Sequence, residues 1–514
     1  MRRGLIALLV PPAVGCIVGC ISVRPEPRPT PQASTTGGAA PATGPAQTPI
    51  RWSVDSATVR SIIAEGMTNS HVTADLEYLS DVIGPRLTGS AGLRQANDWT
   101  RDKFHEYGAD SEWTEPWTFG QGWERGPITL TMVAPHVQPI FGASWAWAPG
   151  TDGPVTGPVV IVDATSPADF AQRFGGRLKG AWVMIRPPVP LTNPDGPTMT
   201  HADSVHADSA LKAWSKLTDD QRKSIAQLPT LLAAEHATGL LQDGAKDFGL
   251  LTMSGTPHAL DPIAHVVIPH ETYTMFYRLR QAGQPVRLRA DITNTLTVDT
   301  LTAYNTVAEI RGTAHPDEVV LLGAHLDSWD LGTGTTDNGA GAMAVLEAAR
   351  ILAAAHVRPV RTIRFALFTG EEQGLLGSTA YVSDHEDELA KFQAVLVLDN
   401  GTGRITGVAL QGRNELHDAW DALFAPVASL GPFTVRAQSK GGTDHLSFLP
   451  YGVPSFNYDQ LTRGYNHTHH SQVDTFDHAA PDDLAQAATI MAVNAYELAN
   501  APALLARGQT AEGP

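Results

Sequence analysis

Cysteine is almost missing from this 514-residue chain, which has only Cys16 and Cys20. The chain beyond them therefore has no disulfide framework and no thiolate metal site, so a metal would need histidine, aspartate and glutamate ligands. Basic runs are also missing, and the formal net charge is −17. An acidic chain of this kind is a poor candidate for binding nucleic acid.

Charged residues are scarce as well, at 17% of the chain, whereas 42% of the residues are hydrophobic. Glycine and proline are frequent, with 47 and 37 residues, which predicts many loops. The apolar content is sufficient for two or three domains with cores of their own.

Residues 1–20 have the pattern of an export signal, and we predict that it is of the lipoprotein type. Two arginines precede an apolar stretch at 5–18 that is short and interrupted by proline, which argues against a membrane span. The sequence IVGC at 17–20 resembles a bacterial lipobox, and AVGC at 13–16 is a weaker second candidate. The alternative is an ordinary signal peptide. We expect an exported protein in the periplasm, cell envelope or extracellular space, tethered to a membrane by lipid.

Composition divides the remaining chain. Residues 21–50 are rich in Pro, Thr, Ala and Gly and predict a disordered linker. We predict one larger domain formed by 51–127 together with 266–505, and a tail at 506–514.

Residues 128–265 are predicted to form a smaller, inserted domain of mixed β structure. Short apolar runs punctuated by Gly and Pro indicate its strands, at 159–162, 181–185 and 250–253. The near repeat HADSVHADS at 201–209 is interpreted as a solvated loop, with a metal-binding tract as the alternative.

The C-terminal half alternates predicted strands and helices. The strands are expected at 307–310, 319–324, 363–368, 395–398 and 408–411. The helices are expected at 341–355, 375–383, 415–428 and 481–499. This alternation predicts an α/β fold of three layers, α/β/α, with functional sites at the carboxyl ends of the strands.

Side chains that are able to bind a metal follow three of these strands, and others lie in two loops. They are His325 with Asp327, Asp337, Glu371 with Glu372, Asp399, and the histidines of HTHH at 467–470. Each feature alone has an ordinary explanation, such as a buried His–Asp pair, a helix cap or an exposed loop. Their coincidence in one domain predicts a shared metal centre.

Two histidines and three carboxylates are a suitable ligand set for two zinc ions, one carboxylate bridging both. The charges of the two ions are balanced by three carboxylates and one bridging hydroxide, as a site of low dielectric requires. One further acid beside a ligand is able to act as general base. We therefore predict a hydrolase with two Zn²⁺ per chain.

Seven motifs make the chain similar to the co-catalytic zinc exopeptidases, which include aminopeptidase S, glutamate carboxypeptidase and carboxypeptidase Q. They are IGPRLTGS, GAHLDSWD, TDNGAGA, FTGEEQGLLGS, VLDNG, GGTDH and HHSQVDT. HLDSWD with its glycine-rich loop most resembles the carboxypeptidase Q branch. The resemblance covers 76–110 and 300–500, and the inserted segment resembles a protease-associated domain.

This resemblance implies five metal ligands, which are His325, Asp337, Glu372, Asp399 and His470. Asp337 is the implied bridge, His325 and Asp399 share one zinc ion, and the remaining two ligands bind the other. His470 is preferred to His467 and His469 because it lies four residues before the Asp-Thr pair of the family's H-x-x-x-D-T pattern.

Further roles are also implied by the resemblance. Glu371 is the implied general base, Asp327 is expected to orient His325, and Asp474 is expected to support His470.

The substrate pocket is less defined. Asp444 and His445 are candidates to line it, with a helix cap as the equal alternative. Tyr458 and Tyr465 are candidates for stabilising an oxyanion.

Two positions depart from the carboxypeptidase Q pattern. Asn338 stands where that branch usually has a second acid, although many aminopeptidases of the family have Asn there. Leu398 stands where a small polar residue is usual.

The predicted reaction is hydrolysis of a terminal peptide bond or a dipeptide by an aminopeptidase or a carboxypeptidase Q-like dipeptidase. The alternatives are a non-catalytic, receptor-like relative, a cyclising acyltransferase with one zinc ion, and a hydrolase of small N-acyl amides. Pocket geometry decides which terminus is attacked, so the pattern of residues leaves that choice open.

Overall fold

A computed structural model describes residues 55–164, 166–189, 191, 219–257 and 260–508. The predicted export signal, the linker and the repeat at 201–209 lie outside these residues. Within the described part, no helix has the length and apolarity that crossing a membrane requires.

The strands of the described residues, in chain order, are β1 (Ser111–Glu124), β2 (Ile128–Ala134), β3 (Gln138–Ile140), β4 (Ala143–Ser144), β5 (Val155–Ile161), β6 (Trp182–Met184), β7 (Gly239–Asp243), β8 (Ala264–Ile268), β9 (Arg287–Ile292), β10 (Thr295–Ile310), β11 (His315–His325), β12 (Arg361–Phe368), β13 (Phe392–Val397), β14 (Ile405–Ala409), β15 (Thr434–Arg436) and β16 (Ser455–Gln460). The α-helices are α1 (Ser56–Thr68), α2 (Val72–Glu77), α3 (Ala91–Glu106), α4 (Pro167–Phe174), α5 (Asp219–Ala234), α6 (His270–Gln281), α7 (Ala340–Ala354), α8 (Leu376–Asp384), α9 (His417–Phe424), α10 (Tyr465–Thr468) and α11 (Pro481–Ala499).

The first sheet has the strand order β1-β10-β12-β11-β13-β16-β14-β15, and its central strands β12, β11, β13 and β16 are parallel. Every residue of β12 and of β13 is buried, because helices cover both faces. Helices α1, α7 and α11 pack in the core on one face, while α8 packs on the other. The predicted three-layer α/β fold is therefore confirmed.

The second sheet has the order β3-β2-β9-β5-β6-β7-β8-β4. It contains both parallel pairs, such as β5 with β6, and antiparallel pairs, such as β2 with β9. Because β9 pairs with β2 and β5, this sheet includes residues up to Ile292. A second, mixed sheet was expected in the inserted segment, whereas the protease-associated character of that segment stays a prediction.

The predicted helix at 415–428 differs in its second half, where α9 gives way to the 3₁₀ segment Ala425–Leu430. Pro426 has no amide hydrogen to donate, so the α-helical pattern cannot continue unchanged.

The apolar run at 250–253 does not form a strand. Its amides donate elsewhere: Leu251 N to Gln472 Oε1 at 2.9 Å and Met253 N to the His470 carbonyl at 2.8 Å. The run was predicted as a strand because it is apolar and short, but its partner is a distant loop.

An aromatic cluster joins the two sheets. It contains Trp117, Phe119, Trp123, Trp147, Leu251, Met253 and Trp329. Since Trp329 belongs to the glycine-rich loop after β11, this cluster places the second sheet beside the predicted metal ligands.

Candidate metal centre

Three adjacent parallel strands deliver ligands to one edge of the first sheet. His325 is the last residue of β11, which is flanked by β12 and β13. Glu371 and Glu372 follow β12, and Asp399 follows β13. The carboxyl ends of parallel strands meet at the same edge, so these side chains converge as the sequence predicted.

Asp337 lies between two pairs of candidate ligands. Its Oδ1 is 3.5 Å from His325 Nε2, which is also 3.5 Å from Asp399 Oδ1. Its Oδ2 is 3.4 Å from His470 Nε2, which is 3.0 Å from Glu372 Oε2. Each oxygen of one carboxylate therefore faces a histidine that is paired with a second carboxylate.

Several candidate ligand atoms of this cluster are buried without a hydrogen-bond partner among the described residues. They are His325 Nε2, Asp337 Oδ2 and Glu372 Oε1. Leaving buried polar atoms unpaired is costly unless they bind something else, and these atom types are zinc ligands. The residues present thus fit a metal.

Electrostatics also favour a cation here. Burial raises the pKa of Glu372 well above its ordinary value, and the charge of Asp337 adds to the effect. Burial lowers the pKa of His470 to about 4 and that of His469 to about 3, so both imidazoles are neutral at physiological pH. Crowded carboxylates beside neutral imidazoles need positive charge, which a bound metal supplies.

Asp327 connects three parts of the site. His325 Nδ1 lies 3.0 Å from the main-chain carbonyl of Asp327 and 3.5 Å from its carboxylate. That carboxylate accepts hydrogen bonds from the Thr88 hydroxyl, at 2.9 Å, and from the amides of Glu371 and Glu372, both at 3.4 Å. Asp327 therefore holds the histidine and the two-acid loop in one arrangement.

Asp474 fixes the loop that carries Asp337. Its carboxylate accepts hydrogen bonds from the amides of Thr336, at 2.6 Å, and Asp337, at 3.1 Å. Its hydrogen bonds thus go to the loop of Asp337, whereas the resemblance implied support for His470.

His469 is a second candidate for the metal-binding position proposed for His470. The rings of His469 and His470 are stacked with centroids 3.8 Å apart, and His469 Nε2 is 3.7 Å from Asp337 Oδ2. His469 and His470 form with Asp337 a group able to hold a metal ion, and His325 and Asp399 form another with the same aspartate.

Asn338 has a structural role that explains the departure at this position. Its side-chain amide donates to the Leu398 carbonyl at 2.9 Å, and its Oδ1 accepts from the Gly341 amide at 2.9 Å. Asn338 therefore joins the start of α7 to the strand end just before Asp399. An acid has no amide hydrogens for the Leu398 carbonyl.

The candidates for the substrate pocket lie in different surroundings. Asp444 is buried, and Glu371 is among the groups whose pKa its charge raises. His445 is buried against Gln411 and the Lys440 carbonyl, while the Tyr458 hydroxyl accepts a hydrogen bond from Asn494 in the core. The Tyr465 ring packs against the His469 ring in a tilted arrangement, with centroids 5.0 Å apart.

Arg86 holds the loops around the site, a role that the sequence did not predict. It is fully buried, and its guanidinium donates to the carbonyls of Gly84, Leu326, Thr333 and Gly334. Burial lowers its pKa to about 10, so it stays charged at neutral pH. The signal for this role in the sequence is its position inside IGPRLTGS, between glycine and proline on one side and a second glycine on the other.

Comparisons with known proteins agree with this arrangement. The family model described as Peptidase family M28 matches residues 305–495. Carboxypeptidase Q of Mus musculus is 27% identical over 436 residues, which covers 84% of this chain and 86% of that protein. Aminopeptidase YwaD of Bacillus subtilis is 31% identical over 197 residues, covering 36% of this chain and 41% of that protein.

Solved structures show the same fold. A peptidase M28 precursor from Shewanella amazonensis, 26% identical, covers 89% of this chain and 99% of its own with a TM-score of 0.72. A zinc aminopeptidase from Bacillus subtilis, 21% identical, covers 84% of this chain and 94% of its own with a TM-score of 0.58. Sequence, fold and the cluster around Asp337 agree that this protein is a metallopeptidase, similar over residues 305–495 to peptidase family M28.

Proposed function

We propose that the chain is an exported exopeptidase with two zinc ions, which hydrolyses a terminal peptide bond or a dipeptide. The observation that supports it best is the position of Asp337, whose two oxygens face separate histidine–carboxylate pairs. His325 and Asp399 would hold one zinc ion, Glu372 and His470 would hold the other, and Asp337 would be shared.

The bound metal pair would supply Lewis acidity and lower the pKa of the attacking water. Glu371 is proposed to accept a proton from that water and to donate it to the leaving amine. The Glu371 amide donates a hydrogen bond of 3.4 Å to the Asp327 carboxylate. Because Asp327 also contacts His325, this hydrogen bond keeps the proposed base close to that proposed ligand. A base fixed in this way needs no reorganisation before it accepts the proton.

The test is Glu371→Gln, which keeps the shape of the side chain but cannot accept the proton. We expect the variant to bind zinc as the wild type does and to lose about 10²–10⁴-fold in kcat on a dipeptide panel. Glu386→Gln, an exposed change in the same domain, is the matched control. Full activity in Glu371→Gln would exclude the proposed base.

Metal analysis of the purified wild type tests the zinc number at the same time. Two zinc ions per chain support the proposal, whereas a single ion favours the cyclising acyltransferase. Free dipeptides, aminoacyl reporters and N-blocked peptides assayed side by side identify the terminus that is attacked.

Export rests on the N-terminal sequence alone. The apolar segment and the lipobox-like IVGC at 17–20 support secretion followed by lipidation at Cys20. The chain would then work outside the cytoplasm, on peptides available there.

A further inference from the structure

The second sheet contributes a segment that contacts the chain around His470. Residues 244–253, here called the clamp segment, follow β7 and reach across to residues 467–472, here called the histidine loop. The sequence assigned this segment no part in the metal centre. Its contacts involve the main chain of a proposed zinc ligand and of the residues beside it.

Hydrogen bonds from the clamp segment fix three carbonyls of the histidine loop. Lys246 Nζ donates to the carbonyls of His467, at 3.3 Å, and His469. The Met253 amide donates to the carbonyl of His470 at 2.8 Å.

Gln472, on the opposite side of this contact, adds two further hydrogen bonds. Its Oε1 accepts from the Leu251 amide at 2.9 Å, and its Nε2 donates to the Gly249 carbonyl at 3.1 Å. The clamp segment and the histidine loop therefore exchange donors in both directions.

His470 needs such support because its backbone is strained. Its φ is 57°, in the left-handed region that non-glycine residues rarely adopt. A residue persists in this conformation only where its surroundings hold it. Its ring also contacts Trp329, with centroids 5.9 Å apart, and Trp329 packs in the cluster that includes Leu251 and Met253.

The clamp segment is itself anchored to the second sheet. The Gly244 amide donates to the Ile268 carbonyl at 2.9 Å, and the Thr252 hydroxyl donates to the Gly244 carbonyl at 2.9 Å. Movement of the histidine loop would therefore have to break contacts with a folded sheet.

We propose that the clamp segment is a positioning element of the metal centre, with Lys246 in the segment and Gln472 opposite it as the principal contact residues. It sets the affinity of the zinc ion bound by Glu372 and His470, and it has less effect on the ion bound by His325 and Asp399. The inference rests on the proposed function, because it assumes a second zinc ion.

The test compares Lys246→Met and Gln472→Leu with the wild type in the full-length protein. Zinc retention is measured by metal analysis during titration with a graded chelator, and the unfolding of the zinc-free protein is measured by circular dichroism. We expect one zinc ion per chain to be held about ten- to hundred-fold more weakly, the range usual for supporting residues of metal ligands. The other ion should be retained as in the wild type.

Lys179→Met is the matched control, since Lys179 is exposed on the same domain. It should keep both zinc ions. Wild-type retention of both ions in Lys246→Met and in Gln472→Leu would overturn the proposal. Equal weakening of both ions, together with a lower melting temperature of the zinc-free protein, would also overturn it, because it indicates general destabilisation.

A wild type that binds no second zinc ion would instead contradict the proposed function. Peptidase activity with two ions and unaffected variants would contradict the clamp alone, so the two failures are distinguishable.

Discussion

At the scale of single residues, His469 and His470 approach the same oxygen of Asp337. His470 Nε2 lies 3.4 Å from Asp337 and 3.0 Å from Glu372, whereas the distance from His469 Nε2 to Asp337 is 3.7 Å. His470, which lies between two carboxylates, is better placed to be the proposed ligand, since a zinc ion bound there would neutralise both acids together.

His470→Ala should therefore reduce the zinc content of the protein from two ions per chain to one. His469→Ala is its natural control and should keep two, because the His469 ring lies farther from Asp337 than the His470 ring does. Metal analysis after dialysis measures both. Loss of zinc in His469→Ala with retention in His470→Ala would reverse the assignment.

Arg86 gives a second prediction at this scale. Arg86→Met should lower the free energy of unfolding by about 3–5 kcal/mol, because it leaves four carbonyls, three of them buried, without their charged donor. Urea unfolding followed by fluorescence measures the loss. Arg311→Met, an exposed change, should stay within about 0.5 kcal/mol of the wild type. A small effect at Arg86 would show that water replaces the guanidinium.

The ligand types and their order along the chain were predictable from the sequence, since strand ends and acid–histidine motifs are local patterns. Arg86 was not, because its acceptors at 326–334 lie about 240 residues away. A short glycine-flanked motif predicts a turn, but it does not identify the loop that the turn will hold.

At the scale of elements, helix α11 contains a buried acid. Glu497 is 1% exposed, and burial alone raises its pKa to about 8 from an ordinary 4.5. Between these two values the unfolded chain releases a proton that the folded chain keeps. The free energy of unfolding therefore falls as the pH rises from about 4.5 to about 8, and levels off above.

Glu497→Gln should remove this loss. The variant should gain stability relative to the wild type across that pH range, by roughly 2–4 kcal/mol at its upper end. Chemical denaturation at a series of pH values measures the slope. Glu386→Gln, at an exposed acid, should leave this slope unchanged. If the free energy of unfolding depends on pH in the same way in Glu497→Gln and in the wild type, Glu497 is ionised when folded and the prediction is wrong.

Elements of the α/β region were predicted closely, because apolar runs buried on both faces are distinctive. The run at 250–253 was mistaken for a strand, since length and apolarity do not reveal which groups its amides meet. In the fold those groups belong to residues 470 and 472.

At the scale of the whole molecule, the proposed lipid tether sets where the enzyme works. We predict that Cys20→Ala abolishes incorporation of labelled palmitate and moves the protein from the membrane fraction to the soluble one. Cys16→Ala should change neither result. Unaltered labelling in Cys20→Ala, with loss in Cys16→Ala, would place the lipid on the other cysteine.

The contact between the clamp segment and the histidine loop also restricts how this architecture is recombined. The second sheet resembles an exchangeable domain, yet the clamp segment that follows β7 binds the main chain at and beside a proposed zinc ligand. A chimera that replaces the inserted segment with that of a relative must therefore carry a compatible partner for 467–472. The two parts of the chain are expected to vary together in evolution as a matched pair.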